Sequence, residues 1–175
     1  MTIRTKFATG LVIILVINLA AGLYAFSLYQ KATSQAAEVR EASSEIVATA
    51  LSTQVRFKKQ VQEWKNILLR GQDPELFNKY LAQFEQEEDS TRTSMQNLIR
   101  LLGENLEARE TANQFLEAHT RLGEEYREAL GQHRVRDQDG YRKVDQQVRG
   151  IDRRPTDLLD EVVNAALSHK DMTLN

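Results

Sequence analysis

The chain has 175 residues, no cysteine, three histidines and a formal net charge of −2. These values exclude a disulfide framework and a thiolate metal centre, and they give no reason to expect nucleic acid or a polyanion as the partner. Two prolines and eight glycines punctuate a composition dominated by Ala, Leu, Glu, Gln, Arg and Lys, so an all-α protein is expected.

Residues 1–6 carry Arg4 and Lys6, and residues 7–29 follow as "FATGLVIILVINLAAGLYAFSLY", with no charged side chain. A bilayer core needs about 20 apolar residues, so this run reads as a transmembrane helix. The positive-inside rule then keeps the N-terminus in the cytoplasm and sends residues 30–175 across the membrane. Tyr24 and Tyr29 stand where an interfacial aromatic belt would lie. A cleaved signal peptide is the competing reading, with Ala20, Ala21 and Gly22 small enough for a peptidase. The apolar run continues past them, which favours an uncleaved anchor.

No Gly or Pro follows the apolar run until Gly71, so the membrane helix is expected to continue outward as the first helix of a bundle. Val47, Ala50, Gln54, Phe57, Val61, Trp64 and Leu68 form its seam. The stretch "RGQDPE" then ends it, with Gly71 expected in the left-handed conformation, Asp73 as N-cap and Pro74 at the first helical position. A second helix aligns Phe77, Leu81, Phe84, Glu88, Thr91, Met95, Leu98 and Leu102 and stops at Gly103. A third, from about Glu104 to Gly131, aligns Ala108, Ala112, Phe115, His119, Leu122, Tyr126 and Ala129. After the polar connection "GQHRVRDQDG", a fourth aligns Tyr141, Val144, Val148, Ile151, Pro155, Leu158, Val162 and Ala165. Four such stripes joined by short loops predict an antiparallel, up-down-up-down four-helix bundle.

Pro155 is the anomaly in this pattern, because a proline inside a helix costs roughly 3 kcal/mol. Counting from the tip near Arg70 and Asp139 places Arg56 and Arg153 level, roughly 20 Å below it. Arg56, Lys59, Glu63, Asn66 and Arg70 form a polar stripe on the first helix, and Arg149, Arg153, Thr156 and Asp160 form one on the fourth. Cations gathered at one level call for an anion, and a guanidinium fork suits a carboxylate. The candidate ligand-binding residues are therefore Arg56, Lys59, Arg149, Arg153 and Thr156, and the expected ligand is a small carboxylate, either an amino acid or an organic di- or tricarboxylate. A kink at Pro155 would free the Ile151 carbonyl and give the last helix two arrangements. Solvated surface arginines beside an inert kink are the plain alternative.

The basic N-terminus and anchor, the unbroken first helix, "VQEWKNILLRGQDPELFNKY" at its end and Pro155-Thr156 in the last helix resemble the extracytoplasmic sensor of bacterial methyl-accepting chemotaxis receptors, the family of the aspartate and serine receptors. The resemblance covers essentially the whole chain. It implies a homodimer, with ligand held at the subunit boundary by cations of the first helices and by Thr156, and a signal carried by displacement of the last helix. It also implies a second membrane helix and cytoplasmic signalling domains beyond this sequence, which is then the front portion of a longer receptor; a protein with a single anchor is the alternative. Similar front ends feed diguanylate cyclases and histidine kinases. Arg153 and Arg154 depart from the amino-acid receptors, which carry uncharged residues there, and the departure points towards a more highly charged carboxylate such as citrate or malate.

His119 falls on the core stripe of the third helix, but neither a Glu-x-x-His pair nor a haem-attachment motif accompanies it. It is expected to be a hydrogen-bonded core histidine facing Glu88 or Thr91, and Trp64 is expected to be core or dimer packing. No nucleophile with a base, phosphate loop or metal-ligand cluster appears, so no enzyme activity, cofactor or metal is expected. A membrane-tethered helical module that contacts only partner proteins is the second functional reading.

Overall fold

Asp73 sets the first turn of the chain. Its carboxylate accepts from the amides of Glu75 at 2.8 Å and Leu76 at 3.2 Å, Pro74 occupies the opening position, and a helix starts there as the sequence predicts. The computed structural model describes residues 3–132 and 139–174. Its helices are α1 (Ile3–Arg70), α2 (Pro74–Leu101), α3 (Leu106–Gln132), α4 (Gly140–Val148) and α5 (Arg153–Leu174), and no strand occurs among the described residues. The chain divides into two compact units, Met1–Glu41 and Ala42–Asn175.

In the first unit, the apolar run lies wholly within α1, and Leu11, Ile14, Leu15, Leu19, Leu23 and Phe26 are all exposed. A window of this helix reaches a mean hydropathy of 2.4 with none of it buried. By length and composition, α1 is the one helix among the described residues able to cross a membrane.

In the second unit, α3 packs against α2, α4 and α5. The α1 segment joins the same core through Phe57 against Phe115, Trp64 against Phe84, and Trp64 stacked on Tyr126 at 3.9 Å. As residue numbers rise along α1 from Thr53 to Trp64, partner numbers fall along α2 from Ser94 to Phe84 and rise along α3 from Phe115 to Tyr126. Every predicted core position of α3 is buried. On α1 the buried line includes Thr53 and Gln60, whereas the predicted Gln54 and Val61 are half-buried.

One turn differs from expectation. Gly71 is not left-handed: its amide still bonds the Ile67 carbonyl at 2.8 Å, and the Asp73 cap opens the next helix without a left-handed residue. Gly103 does take that conformation, with φ 55°, and Asn105 then caps α3 through the Ala108 amide. The third connection lies partly outside the described residues, which exclude 133–138.

The fourth helix predicted from the sequence is in fact two. Arg149 is extended (ψ 115°), Gly150 is left-handed (φ 82°), and the ladder restarts at Arg153. A side chain on Gly150 would be strained, so the glycine supplies the break that the proline was expected to supply.

Candidate functional site

Pro155 is the third residue of α5, in a turn whose N–H groups have no helical partner, so its missing donor removes no interior bond. The expectation of a kinked helix interior is corrected accordingly. The Asp152 carbonyl accepts twice just before it, from the Thr156 amide at 3.1 Å and from Thr156 Oγ1 at 2.7 Å. That pair fixes the Thr156 side chain with its oxygen still able to accept.

Thr156 lines a cavity of about 250 Å³ between α1 and α5, together with Phe57, Lys58, Val61, Gln62, Lys65 and Asp152. Lys58 and Lys65 are two helical turns apart on one face of α1, so two ammonium groups stand against one carboxylate. The lining of this cavity therefore carries a net positive charge.

The predicted residues separate in space. Arg56 lies 3.8 Å from Glu87 of α2, and Arg70, on the same stripe, donates to Tyr80 of α2 at 2.6 Å. That stripe therefore turns towards α2, and Lys58, about 200° from Arg56 around the helix, lies on another face. Lys59 is exposed. Arg149 donates to Asp145 at 2.8 Å and is 71% exposed, and Arg153 is exposed beside the break, while Arg154 reaches Gln114 of α3 at 3.3 Å. The bond from Gln54 to Asp160, 2.6 Å long, sets the register of α1 against α5. By that register Arg56 falls level with Leu158, and Arg153 lies about 7 Å further along. Lys58 and Lys65 are an i, i+7 pair of cations in the sequence, but the periodicity places Val61, between them, on the buried seam, whereas it is half-buried.

His119 and Glu88 form a buried polar layer deeper in the second unit. His119 Nε2 meets Gln60 Oε1 at 2.7 Å rather than the expected Glu88 or Thr91. Glu88 instead pairs with Arg127, its Oε1 accepting at 3.3 Å. The pair fits because residue 123 is glycine: a Cβ there would overlap the Glu88 carboxylate and come within 2.9 Å of Arg127 Nη1. Burial foremost, then the charges of Arg92 and Arg127, push the His119 pKa down to about 4. Burial also raises the Tyr126 hydroxyl well above its ordinary value. No group of three or more metal-ligating side chains occurs among the described residues.

The sequence is similar to part of a bacterial methyl-accepting chemotaxis protein, and the similarity supports a relationship to that chemoreceptor family. That protein is the methyl-accepting chemotaxis protein CtpH of Pseudomonas aeruginosa, 36% identical over an alignment of 121 residues that covers 66% of this chain and 20% of CtpH. The match thus spans about a fifth of the length of that relative. No protein-family model matches the chain, and no solved structure matches it.

Proposed function

We propose that this chain is the sensory front of a transmembrane chemoreceptor, a non-enzymatic signal transducer that binds a small carboxylate. The similarity to a methyl-accepting chemotaxis protein is the observation that carries this reading, and the cation-lined cavity at Thr156 is its chemical complement. In this reading residues 7–29 anchor the protein in the inner membrane and the second unit lies in the periplasm. There α1, α2, α3 and the α4–α5 pair make an antiparallel four-helix bundle in which α4 and α5 share the fourth place. Two copies associate as a homodimer.

Lys58 and Lys65 hold the ligand carboxylates, and Thr156 presents its hydroxyl oxygen to a ligand ammonium or hydroxyl group. Arg149 and Arg153 add positive charge at the start of α5. Lys59 is available to a second copy, and Arg56, near Glu87, contributes field rather than contact. The ligand is an amino acid or a di- or tricarboxylate, and it acts by favouring one of two positions of α5 against α1.

The test is thermal unfolding of the full chain in detergent with aspartate, malate and citrate. A raised midpoint with at least one of them, diminished in Lys58→Ala and Thr156→Ala variants that fold normally, is expected. If none of the three stabilises the protein, the helical module that contacts only partner proteins becomes the better account.

A further inference from the structure

A second cavity lies between α1 and α4, on the other side of the break from most of α5. It measures about 570 Å³ and is lined by Lys65, Leu68, Leu69, Tyr141, Arg142, Asp145, Gln146 and Arg149. That is more than twice the size of the cavity at Thr156 and falls in the range of small-molecule sites. Its floor and walls are apolar: Leu68 is buried beneath it, while Leu69 is 74% exposed, the most exposed large apolar side chain in Ala42–Asn175 among the described residues. Leu69 faces solvent, while Tyr141 is half-buried, packed against the core on one side and bordering the cavity on the other.

The charges at the rim do not cancel. Arg149 is committed to Asp145 at 2.8 Å. Arg142 lies over Tyr141, with Cζ 5.8 Å from the ring centroid and Nε donating to the Tyr141 hydroxyl at 3.2 Å, which holds a flat cationic surface beside the aromatic one. Asp139, at the start of α4, is the other acid near Arg142. With Arg149 and Asp145 paired, Lys65 and Arg142 outweigh Asp139 by one positive charge at the rim. An apolar wall with an aromatic face and two cations at its edge fits one kind of occupant.

We propose that this cavity binds a monocarboxylate with an aromatic or branched apolar body, separately from the carboxylate site at Thr156. The carboxylate meets Lys65 and Arg142, and the apolar body covers Leu69 and lies along Tyr141. Lys65 lines both cavities, so it cannot tell the two sites apart; Leu69 and Arg142 belong only to this one, and Lys58 and Thr156 only to the other.

The experiment is calorimetric titration of the full chain in detergent with 3-phenylpropionate, propionate and 3-phenylpropylamine. One molecule of 3-phenylpropionate per chain is expected, with propionate and the amine each bound roughly tenfold more weakly or not at all. Leu69→Asn and Arg142→Gln, both at exposed positions, should each weaken 3-phenylpropionate about fivefold or more, whereas Lys58→Ala and Thr156→Ala should leave it unchanged. The proposal fails if 3-phenylpropionate does not bind, if Leu69→Asn and Arg142→Gln both bind it as the parent chain does, or if Thr156→Ala abolishes the binding. The last result would assign the ligand to the Thr156 cavity and leave the chemoreceptor reading intact.

Discussion

His119 Nε2 and Gln60 Oε1 stand 2.7 Å apart in the core, joining α1 to α3. With the amide oxygen as acceptor, Nε2 carries a proton, and a pKa lowered to about 4 keeps the ring neutral at pH 7. Phe57 and Phe115 pack on that ring at 5.8 and 5.4 Å, and the charges near it are the cations Arg92 and Arg127, the latter countered by Glu88.

The depressed pKa has a definite consequence for stability. Between pH 6.5 and about 4 the unfolded chain binds a proton at His119 that the folded chain refuses. The contribution is therefore complete above pH 6.5 and is lost as the pH falls towards 4, at a cost on the order of 3 kcal/mol. Chemical denaturation at pH 7 and at pH 4.5 should show this difference in the parent and a smaller one in His119→Gln. Equal differences in the two proteins would refute it.

Gly123→Ala should destabilise the protein by about 1–3 kcal/mol, because the new methyl displaces a buried carboxylate from its arginine. In a Glu88→Ala background the same substitution should cost much less, since the group it displaces is gone. A double-mutant cycle read by urea denaturation measures that coupling, and additivity within about 0.5 kcal/mol would show that the clash is relieved elsewhere.

The left-handed glycines make a paired prediction. Gly150→Ala, at φ 82°, should cost roughly 1–2 kcal/mol, and Gly103→Ala, at φ 55°, a similar amount or less. Asparagine tolerates this conformation, so Gly103→Asn should be milder than Gly103→Ala. Thermal midpoints of the four proteins decide it.

At the Thr156 cavity, Thr156→Val preserves shape and removes the oxygen that the ligand would meet. Affinity for the best stabilising carboxylate of the aspartate, malate and citrate series should fall roughly tenfold, with Thr156→Ser close to the parent. Raising the salt concentration should weaken binding in the parent and have less effect in Lys58→Gln, because an exposed ammonium acts through a screened field. Calorimetry at two ionic strengths provides the measurement.

Much of this fold was legible because it depends on spacing. The Asp73 cap, the Gly103 stop and the whole α3 stripe follow from residue type and a 3.6-residue period. What escaped depends on which polar groups find partners. Thr53 and Gln60 look like surface residues, yet they are buried because Ser94 and His119 meet them. Pro155 attracted attention as the breaker, while the break belongs to Gly150, five residues earlier, whose positive φ leaves no mark in a hydrophobic pattern. The same limit applies to the polar stripes. A helix offers several polar stripes, and only the rotation of α1 against its neighbours decides that Arg56 turns to Glu87 while Lys58 and Lys65 turn to Thr156.

The break at Gly150 also bears on how the last part of the chain breathes. It leaves α4 with nine residues, fewer than the roughly 12–15 at which an isolated helix sustains itself, so α4 depends on Val144 and Val148 staying seated. Amide protons of α4 should accordingly trade for solvent deuterium sooner than those of α5 around Leu158, Leu159 and Val162, making α4 the first of the two segments to open.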